Sequence, residues 1–335
     1  MHRVTLIEGD GIGPEVTGAV VKILAAAGAP IEWERVPAGQ AAYERVGNPL
    51  PDAVIDSLKR NRVGLKGPLG TPKGGGFRSA NVGLRQSLRL SVGWRPVKSL
   101  PGIRSRYDDV DLVVLRENTE GLYAGIEHAI GQDTVVSLKL SSREAALRIA
   151  RWAFEHARAA GRTKITVCHK KSVLPLGDGA FVDAFFEVGK DYPFVEQQEA
   201  SLDQVCMGLA EDPSRYDMLL LENLYGDILS DLCAGLVGGL GVVPGANVGE
   251  KVALFEAVHG TAPDIAGQGL ANPLAVLLSA LLMLEWMGQR RIADRVRDAV
   301  HGVLAEGKVR TRDLGGTADT AEFTQAIIDA LEVRA

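Results

Sequence analysis

Two aspartates four residues apart are the clearest sign of chemistry in this chain. Asp227 and Asp231 lie in the segment NLYGDILSDL, residues 223–232. On a helix, side chains with this spacing share a face, so the two negative charges would repel each other. A hard cation such as Mg²⁺ or Mn²⁺ would relieve that repulsion, because both ions prefer oxygen ligands. The alternative is an acidic face in contact with water, which the apolar residues around the pair argue against.

A series of cations could bind carboxylates, because guanidinium groups match carboxylates through paired hydrogen bonds. The alternative is a set of unrelated surface arginines. Two positions favour a carboxylate-binding site. Arg95 directly precedes a proline, and Arg116 directly follows an apolar segment. α/β enzymes place functional groups at strand ends. The candidates are Arg85, Arg89, Arg95, Arg116 and Lys170.

The glycine turn GDGIG, residues 9–13, resembles a dinucleotide-binding loop only superficially. The fingerprint GxGxxG requires its third glycine one position later, and here Pro14 follows. The fingerprint also requires an acidic residue at the end of the second strand, whereas Glu32 and Glu34 lie inside the predicted one. We therefore predict a structural turn near a ligand, and not a standard Rossmann domain.

Two other segments are rich in small residues. Residues 67–76 contain two prolines and a triple glycine, and residues 259–273 read HGTAPDIAGQGLANP. Such compositions are typical of loops, and long loops often carry functional groups. By itself this pattern indicates functional loops and nothing more specific.

The elements that must position these residues alternate between strand and helix, which predicts an α/β fold. No internal repeat or low-complexity linker divides the chain. Predicted strands cover residues 4–8, 31–36, 63–66, 111–115, 164–168 and 218–221. Predicted helices cover residues 15–27, 52–59, 142–160, 226–236, 273–287, 292–304 and 320–331.

Composition excludes several classes of protein. The chain has 335 residues and a formal net charge of −5, which argues against a nucleic-acid partner. Three cysteines without a CxxC pair argue against a disulfide framework or a zinc site. The N-terminus lacks the apolar stretch of a signal peptide, and no apolar run is long enough for a membrane span. We expect a cytoplasmic enzyme with reduced thiols.

Taken together, the motifs resemble the β-decarboxylating dehydrogenase family, which includes isocitrate, 3-isopropylmalate, homoisocitrate and tartrate dehydrogenases. The similarity covers essentially the whole chain and is strongest to NAD-dependent isocitrate dehydrogenases. The motifs that carry it are GDGIGPEV at the start, SANVGLR and RP within 79–96, RENTEGLY at 116–123, HK at 169–170, NLYGDILSDL at 223–232, HGTAPDIAGQGLANP at 259–273 and DLGG at 313–316.

The resemblance implies the two-domain α/β fold of isocitrate and isopropylmalate dehydrogenases. Residues 1–96 and 251–335 would form a large NAD-binding domain. Residues 97–250 would form a small domain with the metal, substrate and dimer contacts. The active site would lie between the domains and borrow residues from a partner, which implies a homodimer with shared active sites.

The resemblance also implies a role for individual residues. Tyr123 and Lys170 match the catalytic residues, and the partner would lend its lysine. The metal ligands would be Asp203, Asp227 and Asp231. The substrate-binding residues would be Ser79, Asn81, Arg85, Arg95 and Arg116. The cofactor-binding residues would be Thr71, His259, Gly260, Thr261, Ala262, Asp264, Ile265 and Asn272.

The implied cofactors are NAD and Mg²⁺ or Mn²⁺. Asp264 and Ile265 occupy the positions that meet the adenosine ribose, where NADP-linked relatives tend to have Lys and Tyr. A carboxylate there can accept hydrogen bonds from the ribose 2′-hydroxyl and would repel a 2′-phosphate.

The implied reaction is the oxidative decarboxylation of isocitrate, or of a close 2-hydroxy tricarboxylate, to a 2-oxo acid and CO₂. Thr71, Ser79 and Asn81 resemble the isocitrate version of their loop, because an isopropylmalate enzyme would line that pocket with apolar residues. Homoisocitrate remains an alternative, since VLPL at 173–176 is similar to enzymes that act on it.

Several residues depart from the family pattern, and they keep two further alternatives open. An isocitrate analogue with a phosphonate would suit the extra cations. A non-catalytic regulatory subunit would belong to a different class, although such subunits usually lose catalytic positions that this chain retains. The departures are Arg89, Ser91, Gly93, Trp94, Lys171 and Ser172.

Overall fold

A computed structural model describes residues 1–70 and 79–332. It confirms the α/β class. The strands are β1 (His2–Ile7), β2 (Ile31–Arg35), β3 (Val63–Lys66), β4 (Val92–Lys98), β5 (Asp111–Glu117), β6 (Gly121–Ile130), β7 (Thr134–Leu140), β8 (Lys164–His169), β9 (Glu196–Ser201), β10 (Met218–Leu221), β11 (Pro244–Val248) and β12 (Ala253–Ala257). The helices are α1 (Gly13–Ala26), α2 (Gln40–Val46), α3 (Asp52–Asn61), α4 (Ala80–Ser87), α5 (Arg143–Ala160), α6 (Gly177–Gly189), α7 (Leu202–Glu211), α8 (Asn223–Leu236), α9 (Leu274–Trp286), α10 (Arg290–Glu306) and α11 (Thr320–Glu332).

The chain forms two compact units whose boundaries differ from the predicted 96/97 and 250/251. The first contains residues 1–88, 99–108 and 234–335, and the second contains residues 89–98 and 109–233. Strand pairing explains the difference. β4 pairs antiparallel with β5 over its whole length and so joins the second unit, whereas β11 pairs antiparallel with β12 and joins the first. The roles assigned to the two domains stay predictions.

In the first unit the strands follow the order β2-β1-β3-β12-β11. All pairs are parallel except β11 with β12. Helix α9 lies buried on nearly all sides and packs against β11 and β12, as expected for a helix that is apolar all round. Among the helices that the structure describes, none is long and apolar enough to span a membrane.

In the second unit the strands follow the order β4-β5-β10-β8-β9, and all pairs are parallel except β4 with β5. β6 and β7 form a separate antiparallel hairpin. Two strands alone are at best marginally stable in water, so this hairpin needs a packing partner. Its exposed large apolar residues are Leu122, Ile126, Ile130, Val135, Leu138 and Leu140.

An aromatic cluster joins β4 to α5 in the second unit. The ring of His156 stacks on Trp152, with centroids 4.8 Å apart, and meets Trp94 edge-on at 5.0 Å. Burial, together with the charge of Arg162, lowers the pKa of His156 to about 4. Trp94, which departs from the family pattern, therefore packs within its own unit.

Replacing His156 by phenylalanine should change how stability depends on pH. A histidine with a lowered pKa binds its proton more tightly when unfolded, so stability falls as the pH drops from 6.5 to about 4. That shift corresponds to a loss on the order of 3 kcal/mol, which the variant should not show. Chemical denaturation across this range tests it, with His128→Gln on the exposed hairpin as the control. Parallel stability curves for wild type and His156→Phe would contradict the prediction.

Candidate active site

Tyr123, Arg116 and Asp227 form a compact cluster in the second unit. The hydroxyl of Tyr123 donates a hydrogen bond to Oδ2 of Asp227, and Nη1 of Arg116 pairs with its Oδ1. The Arg116 guanidinium also lies over the Tyr123 ring, 4.9 Å from its centroid. Arg116 is only 1% exposed, so water screens its charge weakly and the charge acts on these neighbours. A predicted substrate-binding residue and a predicted metal ligand thus meet the predicted catalytic tyrosine.

Two residues outside the predicted set hold Arg116 in place. Oδ1 of Asn223 accepts hydrogen bonds from Nη2 and Nε of Arg116 at 2.7 and 3.2 Å. Gly226 leaves room for the arginine, because a Cβ there would lie 2.6 Å from its Cγ. Both belong to the NLYGDILSDL motif. The spacing of the two aspartates does not reveal these two supports, which depend on contacts with a distant strand.

The electrostatics of the cluster favour a protonated tyrosine. Burial raises the pKa of Tyr123, and the hydrogen bond and charge of Asp227 add to the effect, while Arg116 opposes it. Loss of hydration raises the pKa of Asp231, and the nearby charge of Asp227 raises it further, while Arg95 and Arg116 act in the opposite direction. Asp227 and Asp231 thus influence each other, as their helical spacing predicts.

Lys170 and Asp203 form a second cluster. Nζ of Lys170 lies 2.5 Å from Oδ1 of Asp203, and both side chains are substantially exposed. The ion pair lowers the pKa of Asp203. Asp203 therefore pairs with the predicted catalytic lysine, and the parts of the chain at 1–70 and 79–332 include no group of three His, Cys, Asp or Glu side chains placed to hold a metal ion.

A buried ionic network supports the second cluster. Nζ of Lys139, on β7, pairs with Asp178 and lies 2.5 Å from Oε2 of Glu222. The other oxygen of Asp178 accepts the backbone N–H of Lys170 at 2.6 Å. Burial raises the pKa of Glu222 to about 7, despite its bond to Lys139. Through Asp178, Lys139 thus links the β6–β7 hairpin to the backbone of Lys170. It also links the hairpin to Glu222, which directly precedes Asn223.

The departures from the family pattern have local structural partners. Nζ of Lys171 lies 2.7 and 2.6 Å from the two carboxylate oxygens of Glu199, so its charge is neutralised within the chain. Arg89 adopts a positive φ of 49° and is exposed. A Cβ at Gly93 would lie 3.1 Å from Oδ1 of Asn118, so glycine permits that close approach. The charge of Lys171 is therefore already paired and is not left over for an anion.

Three predicted substrate residues belong to the first unit. Ser79 directly precedes α4, and Asn81 lies in its first turn. Nη2 of Arg85 is 3.9 Å from Glu256, which also pairs with the buried Lys66 at 2.5 Å. Within the described ranges, Nε of Arg85 and Oδ1 of Asn81 are buried without a hydrogen-bond partner. Such groups are suited to a polar ligand.

The first unit also contains a cavity of about 420 Å³. Of the predicted cofactor residues, Asp264 and Thr261 do not line it, and Thr71 lies outside the described residues. The lining residues that were not predicted from the sequence include Ile12 of the glycine turn and Asp313 of the DLGG motif. The cavity is lined by Ile12, Gly241, His259, Gly260, Ala262, Ile265, Leu270, Ala271, Asn272, Arg312 and Asp313.

The cavity combines mostly apolar walls with a few polar groups. Nε2 of His259 is buried and has no hydrogen-bond partner among residues 1–70 and 79–332. Burial lowers the pKa of His259, so the ring is neutral at physiological pH. Nδ2 of Asn272 donates to Asp313 at 2.9 Å. A flat heteroaromatic ring with polar edges fits such a pocket.

Comparison with known proteins covers nearly the whole chain. The family model described as isocitrate/isopropylmalate dehydrogenase matches residues 3–330. The NAD isocitrate dehydrogenase catalytic subunit 5, mitochondrial, of Arabidopsis thaliana is 49% identical over 98% of this chain and 88% of its own length. The chloroplastic 3-isopropylmalate dehydrogenase of Solanum tuberosum is 48% identical over 92% and 86%. The crystal structure of isocitrate dehydrogenase from Methylococcus capsulatus matches with a TM-score of 0.95 and 46% identity, over 99% of each chain.

Proposed function

The chain belongs to the isocitrate/isopropylmalate dehydrogenase family, and on that premise we propose that it catalyses the NAD-dependent oxidative decarboxylation of isocitrate. The observation that carries this proposal is the contact of Tyr123 and Arg116 with the two oxygens of Asp227. This contact joins a proton donor, a carboxylate-binding cation and an oxygen ligand at one point. Those are the groups that such a reaction requires.

The donor set fits a divalent cation. Asp227 and Asp231 supply hard oxygen ligands, and their mutual repulsion indicates that they would gain from a shared positive charge. When bound, Mg²⁺ or Mn²⁺ makes the substrate hydroxyl more acidic and stabilises the negative charge that develops next to it. Arg95, Arg116 and Arg85 would hold the carboxylates of the substrate.

The NAD assignment rests on the cavity and on Asp264, which precedes the lining residue Ile265 without lining the cavity itself. Nε2 of His259 needs a partner, and the edge of an adenine ring can provide one. A carboxylate at position 264 disfavours a 2′-phosphate. NAD bound there would supply the acceptor for the hydride of the substrate carbon.

The remaining steps are proton transfers by side chains of the protein. Lys170, in its neutral amine form, accepts the proton of the substrate hydroxyl. The resulting 2-oxo acid loses the carboxylate β to its carbonyl as CO₂, which leaves an enolate. Tyr123 then delivers its proton to the enolate carbon, and its raised pKa keeps it protonated until that step.

We also propose a homodimer with shared sites. One chain holds Tyr123 with Asp227 and Asp231, while Lys170 and Asp203 form a separate exposed pair. A second chain could supply the lysine and the third metal ligand. The exposed apolar side chains of the β6–β7 hairpin support such a contact, because large apolar patches on soluble proteins usually mark interaction surfaces. A cytoplasmic location stays a prediction.

The substrate preference can be tested with kcat/KM for isocitrate, homoisocitrate, isopropylmalate and a phosphonate analogue of isocitrate. We expect isocitrate to exceed isopropylmalate by about 10⁴-fold, because an apolar group would leave polar pocket residues unpaired. Neutralisation of Lys171 by Glu199 argues against a preference for the phosphonate. A higher value for any of the other three substrates would contradict the assignment. An inactive chain, when expressed alone, would favour a regulatory subunit instead.

A further inference from the structure

The glycine turn at residues 9–13 and Glu15, in the first turn of α1, take no part in the proposed chemistry, yet they contact three segments around the cofactor cavity. The backbone N–H of Asp10 donates to Pro68 O at 2.7 Å, and that of Ile12 donates to Thr261 O at 2.9 Å. The carboxylate of Glu15 accepts the backbone N–H groups of Gly269 and Ala271 at 3.2 and 2.8 Å. The turn and Glu15 together therefore touch both ends of the loop that lines the cavity.

The glycines of this turn allow other parts of the protein to approach closely. A Cβ at Gly9 would lie 2.3 Å from Pro68 O, and one at Gly11 would lie 2.0 Å from Thr261 O. Both glycines also have positive φ angles, of 84° and 58°. These glycines make room for neighbouring protein backbone. Their spacing therefore need not match the dinucleotide-binding fingerprint.

Glu15 is the anchor with the most partners. Besides the two N–H groups, its Oε1 accepts a short hydrogen bond from the hydroxyl of Thr320. That hydroxyl lies 2.6 Å from Ala271 O, and the N–H of Thr320 donates to Gly269 O at 2.8 Å. Helix α1, through Glu15, and the start of α11 therefore hold residues 269–271 between them, and Leu270 and Ala271 face the cavity.

We propose that Glu15 is a positioning residue for the NAD pocket. Its carboxylate fixes residues 269–271 in the conformation that lines the cavity, without touching the cofactor. The inference rests on the proposed function in one respect, that the cavity binds NAD. A carboxylate suits this role because it is acceptor-only and meets two converging N–H groups, whereas an amide has only one acceptor atom.

The test is Glu15→Gln, since the amide nitrogen of glutamine would face a backbone N–H and leave that donor unpaired. Calorimetric titration with NAD⁺ should show a Kd raised about 10-fold, in line with the loss of one partly buried hydrogen bond. The KM for NAD⁺ should rise equally, while kcat and the KM for isocitrate change by no more than about twofold. Glu155→Gln, on the exposed side of α5, is the matched control.

Thr320→Val provides a second variant that keeps the anchor carboxylate. It should weaken NAD⁺ binding less than Glu15→Gln does. In the double variant, the Kd for NAD⁺ should rise by less than the product of the two single-variant factors, because both changes act on the same segment. Unchanged NAD⁺ affinity in both variants, with or without a lower melting temperature, would overturn the inference. Failure of the wild-type protein to bind NAD⁺ would overturn the proposed function, and with it this role for Glu15.

Discussion

Replacing Tyr123 by phenylalanine is expected to lower kcat for isocitrate oxidation by about 10²–10⁴-fold, the range typical of a lost general acid. The ring would still lie under the Arg116 guanidinium, so the packing of the site should survive. The KM values for isocitrate and NAD⁺ should change little by comparison. Steady-state kinetics at saturating metal, together with calorimetric binding of isocitrate, separates loss of chemistry from loss of binding.

A matched control is Tyr216→Phe, because the hydroxyl of Tyr216 packs close to Gly208 of α7, away from the Tyr123 cluster. This control should keep wild-type kcat. If Tyr123→Phe retained kcat within about threefold of wild type, proton delivery by Tyr123 would be excluded.

A comparable loss is expected for Lys170→Met, and here the proposed sharing of sites gives a sharper outcome. The Tyr123→Phe and Lys170→Met proteins should each be nearly inactive, with kcat lowered about 10²–10⁴-fold. In a hybrid dimer, however, one site would combine intact Tyr123 from one chain with intact Lys170 from the other. Activity should therefore reappear when the two variants are refolded or expressed together.

If the two variant chains carry different affinity tags, the activity of the hybrid dimers can be measured separately. Tandem purification isolates hybrids, which should carry half the activity of the wild-type dimer, because one of their two sites is intact. Hybrids that form but remain inactive would show that Tyr123 and Lys170 act within one chain. The exposed Lys170–Asp203 pair would then need a different explanation.

The parts of the site that the sequence predicts well are those encoded by local spacing. Helical periodicity places Asp227 and Asp231 on one face, and the end of an apolar strand places Arg116 beside them. The same holds for α9, whose apolar residues on every side predict burial. These patterns need only neighbouring residues, so they can be recognised before the fold is known.

Pairings over long sequence distances could not be predicted in this way. Lys170 meets Asp203 because β8 and β9 are parallel and in a register that pairs His169 with Ser201, which brings the residues after both strands together. Local periodicity does not contain that register. The antiparallel pairing of β4, which shifted the unit boundaries, was missed for the same reason.

The partners of charged groups are a further limit of sequence reasoning. Lys171 looked like an additional cation near the substrate, but Glu199 on the neighbouring strand neutralises it. In the glycine turn, the sequence showed a tight bend but not that Glu15 bonds to residues about 250 positions later. Motif similarity can identify such residues as important without giving a physical reason for them.

If the proposed dimer forms through the β6–β7 hairpin, subunit contact also affects how firmly the backbone of Lys170 is held. Lys139 on β7 is bonded to Asp178, which in turn holds the backbone of Lys170. A monomer released by dilution would leave the apolar strands β6 and β7 in water and weaken the anchor of its own lysine. Specific activity should therefore decline with protein concentration before any unfolding is visible, and separated chains should be prone to aggregate or to be cleaved at the hairpin.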